Sequence, residues 1–217
     1  MFISRVEMPW NVAQNPYKIH CLLWRLFPGE AREARRSSEE DRQGFLFRVE
    51  KSQPGYPVRV LVQSRRRPEP APQTTVIGCR EFHPRPASGQ RLAFLLTANP
   101  IKTIIDEQLV AKPDKKSNKC RVPLLKEEEQ LGWLSRKLAD AADVESSTVL
   151  PHSPLYFRKG NRGGKLLTVT FEGILQVRDG SVLSTHLANG IGPAKGFGCG
   201  LMLVKRLKRS ENRERKD

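Results

Sequence analysis

Tyr17 and His20 stand three residues apart in the segment NPYKIH (15–20), a spacing that makes them neighbours on one face of a helix. Imidazole is the side chain that titrates near neutrality, and a phenol can orient or share a proton, so the pair carries the parts of general acid–base chemistry. Ile19, Leu22, Leu23 and Leu26 recur at i, i+3, i+4 and i+7, and at about 100° per residue His20 falls roughly 100° from the centre of that apolar stripe. The ring therefore belongs on the border between core and solvent, where a proton-transfer group must sit. The same spacing equally suits an interfacial histidine beside a partly buried tyrosine.

A second segment, GIGPAKGFGCGL (190–201), sets Gly190, Gly192, Gly196, Gly198 and Gly200 around Lys195 ahead of an apolar strand. Glycines there allow positive φ and close backbone approach, so their amides can face phosphates while Lys195 adds charge. The pattern is not G-x-x-x-x-G-K-[ST] and opens onto a strand, which argues against nucleotide hydrolysis. A tight turn that lets two domains pack is the other reading. Lys195-Gly196-Phe197-Gly198 matches the start of the RNP1 signature, but Cys199 and Met202 stand where aromatics are wanted, so base stacking on an ordinary sheet face is not expected.

YFRKGNRGGKLL (156–167) reads as a hairpin with Arg158, Lys159, Arg162 and Lys165 around a glycine-rich turn. Such a tip can enter an RNA groove or hold a strained phosphate, or its charges can simply be solvated. Arg121, at the start of CRVPLLKEEEQ, is a further phosphate-compatible cation.

The elements that must position these groups follow from periodicity. Residues 2–8 alternate as a strand, and Asn15-Pro16 supplies an N-cap and a first-turn proline for a helix over 16–27 that Pro28-Gly29 stops. EAREARRSSEEDR (30–42) has charge but no apolar face, which makes it a solvated insertion. Strands are expected at 44–50, 57–64 and 91–98, with an exposed loop over 64–73. KEEEQLGWLSRKLADAA (126–142) is a helix with Leu131, Leu134 and Leu138 on its apolar face, and 166–177 and 200–207 read as strands. Each half then resembles strand, helix, strands, which predicts an α+β protein of two tandem ferredoxin-like (RRM-like βαββαβ) domains. The boundaries expected are 1–98, a linker over 99–119, 120–207, and a basic disordered tail over 208–217. The second helix of the first half must fall in 73–90, whose residues are poor helix formers.

Thirty-eight basic against twenty-three acidic side chains in 217 residues give a net charge of +15, a field that attracts polyanions. Neither a membrane-length apolar run nor a signal peptide is legible, so a cytoplasmic protein is expected. Cys21, Cys79, Cys120 and Cys199 form no C-x-x-C pair and the four histidines no H-x-x-x-H, so buried reduced thiols are expected, and neither a metal nor a small-molecule cofactor. Aromatics make up 7% of the chain, which favours phosphate and shape recognition over stacking on single strands.

In order along residues 1–207, NPYKIH, FLFRVE with VLVQS, RLAFLLTANPIK, CRVPLLKEEEQLGWLSRKL, TVTFEGIL and GIGPAKGFGCGLM resemble the CasE family, the RNA-processing subunit of type I-E CRISPR Cascade complexes. The resemblance implies two ferredoxin-like domains, a catalytic histidine on the first helix with a nearby tyrosine, and a glycine-rich loop late in the second domain. These fall on His20, Tyr17 and Gly190–Gly200. It further implies a basic hairpin working on the RNA, mapped onto Arg158, Lys159 and Lys165. The implied activity is metal-independent cleavage at the 3′ base of a CRISPR repeat stem-loop, with the product kept beside other Cascade subunits. A catalytically silent RNA-binding scaffold of the same fold is the alternative.

Overall fold

The computed structural model describes residues 1–29, 44–105, 119–151 and 154–207; the charged segment 30–42 and the tail 208–217 lie outside the described residues. The first sheet is built from β1 (Phe2–Met8), β2 (Phe45–Lys51), β3 (Val58–Ser64) and β4 (Thr75–Glu81) in the order β2-β3-β1-β4, every pair antiparallel. After the short helix α1 (Trp10–Ala13), α2 (Pro16–Leu23) lies on this sheet. The N-cap and proline expected from sequence both act: Asn15 accepts from the Tyr17 N–H at 3.1 Å, and Pro16 occupies the first turn. Ile19, Leu22 and Leu23 meet Val6, Met8, Phe47 and the inward row Val58, Val60 and Val62 in one apolar cluster. Each such buried side chain contributes roughly 1.5–3 kcal/mol, more than the capping contacts, so the stripe decides the rotation of the helix. The α-helix is shorter than 16–27, because its last turn tightens into a 3₁₀ turn over Trp24–Leu26.

The second sheet contains β5 (Arg91–Ala98), β8 (Ala142–Pro151), β11 (Val169–Val177) and β12 (Met202–Arg206) in the order β12-β5-β11-β8, again antiparallel. Helices α3 (Glu127–Leu138) and α4 (Gly180–Asn189) complete a βαββαβ unit. Leu134 and Leu138 are fully buried and Leu131 packs beside them, as the periodicity of α3 predicts. Three acidic residues open that helix and Arg136 and Lys137 close it, which complements its dipole. Two ribbons are inserted: β6 (Ile101–Ile105) with β7 (Lys119–Pro123), and the hairpin β9 (Leu155–Lys159) with β10 (Arg162–Leu166). The fold is thus α+β with two tandem ferredoxin-like sheets.

Three expectations change. The strand 91–98 pairs with β11 and β12 rather than closing the first sheet, so the division between sheets falls between Glu81 and Arg91 and not at 98. Part of the expected linker is the β6–β7 ribbon, and the stretch between those strands lies outside the described residues. Within 73–90 the structure holds strand β4 instead of a helix, and the first unit lacks its second helix among the described residues. The two units are tied by polar bonds: Gln63 Nε2 donates to the Leu187 carbonyl at 2.7 Å in a buried contact, and Arg48 Nη1 to Thr97 Oγ1 at 2.8 Å in a half-buried one. Burial lowers the Arg48 guanidinium from its ordinary value. Of the four thiols only Cys199 is buried; Cys21 is exposed, because it lies on the solvent side of α2, and Cys79 and Cys120 are half-buried. No described helix is long and apolar enough to cross a membrane.

Candidate nucleic-acid interface and proton-transfer site

His20 lies half-buried at the edge of the stripe, as its helical angle predicts. Its ring sits among the aromatics of β2 and the end of α2: centroids lie 5.6 Å from Phe45, 6.3 Å from Phe47 with planes at 28°, and 5.9 Å from Trp24 with planes at 85°. Trp24 Nε1 donates to His20 Nε2 at 3.0 Å. Tyr17 is half-buried one turn nearer the helix start.

The glycine-rich segment of the other unit closes on this ring. Lys195–Phe197 forms a 3₁₀ turn, and a Cβ added at Gly196 would stand 3.6 Å from His20 Nε2. Gly198 follows at φ +85°, where an added Cβ would meet Phe47 at 3.2 Å. Positive φ holds at Gly190, Gly192, Gly198 and Gly200 but not at Gly196, where an added Cβ would meet the imidazole at ordinary contact distance. The amides only partly fit the phosphate-facing expectation, since Gly190, Gly198 and Gly200 donate to His186, Lys195 and Thr97 carbonyls, respectively. Lys195 itself donates to the Asn189 carbonyl at 2.7 Å, and burial pulls its ammonium below the usual lysine value. A charge that closes the C-terminus of α4 is its visible work.

The hairpin reaches the same place from the other side. Phe157 packs on Phe197 with centroids 4.5 Å apart. Its ring lies over Gly164, where any Cβ would fall inside contact distance of the ring and so could not coexist with it. The register sets Tyr156 opposite Lys165 and Arg158 opposite Gly163, so these four share one face. Exposed Arg158 and Lys165 and exposed Lys18 of α2 line an open cleft of about 900 Å³ with Asn11, Gln14 and Asn15. Lys165 Nζ stands 5.8 Å from the centre of the Tyr156 ring. His20 and Tyr17 are not on the cleft wall, which ends at Asn15 and Lys18 on their helix. Lys159 and Arg162 pair across the hairpin tip. Arg121 lies on the β6–β7 ribbon and is not part of the cleft.

The structure therefore brings α2 together with a glycine-rich loop and a hairpin that lie far from it in sequence. It also exposes contributors that the sequence does not announce: Asn15, whose amide binds Arg158, and Trp24, Phe45 and Phe47 around the imidazole. Trp24 at i+4 from His20 is the one legible signal among them. Phe47 and Asn15 act through tertiary contacts that spacing does not encode. Among the described residues no three of His, Cys, Asp and Glu are grouped to hold a metal.

The family described as "CRISPR associated protein" matches residues 1–206. The chain is 41% identical to the Cascade subunit CasE of Escherichia coli K12 over 204 residues, 93% of this chain and 98% of that one. It is 32% identical to the CRISPR-associated endoribonuclease Cse3 of Thermus thermophilus, with 88% and 90% covered. The structure of Thermus thermophilus Cse3 bound to an RNA representing a pre-cleavage complex superposes with a TM-score of 0.70 at 27% identity, covering 94% of this chain and 98% of that one.

Proposed function

We propose, given that this chain belongs to the CRISPR-associated protein family that contains CasE and Cse3, that it is an endoribonuclease that cuts CRISPR precursor RNA. Its substrate is the stem-loop of the repeat, and it keeps the trimmed guide RNA as a subunit of a cytoplasmic Cascade complex. The observation that carries the reading is the convergence of His20, the loop at Gly196 and the cation-bearing hairpin, held together by Asn15 and Phe197.

Cleavage without a metal requires the RNA's own 2′-OH to attack the adjacent phosphate. The 2′-O–H bond breaks, the 2′-oxygen bonds to phosphorus, and the 5′-oxygen of the next nucleotide leaves with a proton. The products are a 2′,3′-cyclic phosphate and a 5′-OH. His20 carries the proton-transfer work as base or acid, with Tyr17 orienting the ring's partner or sharing the proton. Arg158 and Lys165, with Lys159 and Arg162 at the hairpin tip, hold the phosphates, and cations near the scissile group stabilise the phosphorane. The glycine-rich segment, with Lys195 bracing it, lets RNA backbone come close to the imidazole; Arg121 is assigned to RNA outside the cleft.

The stem is gripped through contacts that cutting does not alter, so the product leaves slowly. Mapping the ends of a repeat hairpin cut in excess chelator tests the reading. Cyclic phosphate and 5′-OH ends with about one turnover per protein are expected; 5′-phosphate ends, or no cutting without added metal, contradict it.

A further inference from the structure

Trp24 is bonded to His20 twice. Its backbone N–H caps the His20 carbonyl at the end of α2, and its indole Nε1–H donates to Nε2 of the imidazole at 3.0 Å. An indole nitrogen donates and does not accept. In this arrangement Nε2 must therefore present its lone pair, and the one proton of the neutral ring lies on Nδ1. That is the reverse of the tautomer a free neutral imidazole prefers. The indole is itself braced by Phe45 at 5.0 Å between centroids, and the approach to Nε2 is bordered by the bare backbone of Gly196 rather than by a side chain.

We propose that Trp24 is a positioning residue that holds His20 in the Nδ1–H tautomer, so that Nε2 is the nitrogen that takes the 2′-OH proton when RNA displaces the indole bond. The inference rests on the catalytic assignment of His20 made above. In the reaction the 2′-O–H proton passes to Nε2, the freed electron pair forms the bond to phosphorus, and the ring becomes imidazolium with both nitrogens protonated. An imidazolium cannot accept from the indole, so the Trp24 bond forms again only once the proton has left Nε2. Trp24 thus favours the resting, proton-accepting form of the ring between turnovers.

Nitrogen-15 spectra of ring-labelled protein, recorded in the neutral range without RNA, read the tautomer directly. The expected result is an unprotonated, hydrogen-bonded Nε2 and a protonated Nδ1 at His20; a dominant Nε2–H form in the wild-type protein overturns the proposal without any variant. Trp24→Phe keeps an aromatic ring against Phe45 and removes only the donor. It is expected to move His20 toward the Nε2–H form and to slow single-turnover cutting by roughly tenfold, the scale of one lost hydrogen bond, with RNA affinity unchanged. A Trp24→Phe protein that folds, binds and cuts like wild type, or one whose rate falls with no change in the His20 signals, contradicts the proposal. The two assignments separate cleanly, since a cutting His20→Ala protein removes the catalytic reading, while an inert His20→Ala beside a fully active Trp24→Phe removes only this one.

Discussion

The side-chain amide of Asn15 pairs with both backbone groups of Arg158, donating from Nδ2 to the carbonyl at 2.7 Å and accepting the N–H on Oδ1 at 3.3 Å. The same Oδ1 caps α2 by accepting from the Tyr17 N–H. One side chain thus starts the helix that bears His20 and fixes the hairpin that bears Arg158 and Lys165, 143 residues away.

Asn15→Asp separates these two duties. A carboxylate still caps α2, but it cannot donate to the Arg158 carbonyl and places negative charge against it. The thermal midpoint should stay near wild type while RNA affinity and cutting fall severalfold and amide exchange across β9 and β10 accelerates. Asn15→Ala should additionally cost about 1 kcal/mol of stability through the lost cap. An Asn15→Asp protein that binds and cuts normally would show that the hairpin needs no such tie.

Two neighbouring glycines should respond differently. Gly198 combines φ +85° with Phe47 at 3.2 Å from an added Cβ, so Gly198→Val carries backbone strain of about 1–3 kcal/mol and should lower both stability and cutting. At Gly196 an added methyl meets the His20 ring only at ordinary distances of 3.6–3.7 Å. Gly196→Ala should therefore melt like wild type yet cut more slowly, because the methyl stands beside Nε2. Wild-type cutting by both variants, with Gly198→Val alone destabilised, would return the loop to a role in packing alone.

The hairpin cations predict a salt signature. Arg158 holds Asn15 through its backbone, so Arg158→Ala removes charge and leaves the tie intact, and Lys165 is exposed on the same hairpin face. Each substitution should flatten the slope of log affinity against log salt by about 0.7–0.9, the loss of one phosphate contact. Slopes identical to wild type would mean that these side chains do not meet phosphates. A single strand that competes as well as the hairpin would remove stem recognition.

Burial pushes the Cys199 thiol up to about 12, whereas Cys21 is exposed on α2. At about pH 8 the Cys199 thiolate is scarce as well as inaccessible. Thiol-directed label should reach Cys21 first and Cys199 only on unfolding. Rapid labelling of Cys199 in the folded protein would contradict the placement of the glycine-rich segment against β2 and β5.

Much of this arrangement is legible residue by residue, and the limits have physical causes. The stripe at Ile19, Leu22 and Leu23 and the Asn15-Pro16 start announce the first helix and the border position of His20, because helical period and capping are local. β5 is legible as a strand but not as a member of the second sheet: alternation says that one face is buried, not against which partner. β4 is hidden because it buries almost nothing, with a pattern broken by Gly78 and by charges at Arg80 and Glu81. The second helix of the second unit, over 180–189, leaves a weak signal because its face rests chiefly on Leu183 and Leu187 among β-branched and small residues. The helix–hairpin bond of Asn15 joins a side chain to a distant backbone, which leaves no trace in spacing.

In the proposed reaction His20 transfers the proton in an attack by the RNA's own 2′-OH. Single-turnover cutting of a repeat hairpin in chelator, run in parallel for wild type and His20→Ala with a ribose or a deoxyribose at the scissile nucleotide, measures it most directly. His20→Ala is expected to bind the hairpin with nearly unchanged affinity and not to cut it, and wild type to cut only the ribose substrate. A folded His20→Ala protein that cuts at the wild-type rate, or wild-type cutting at the deoxyribose, would contradict it.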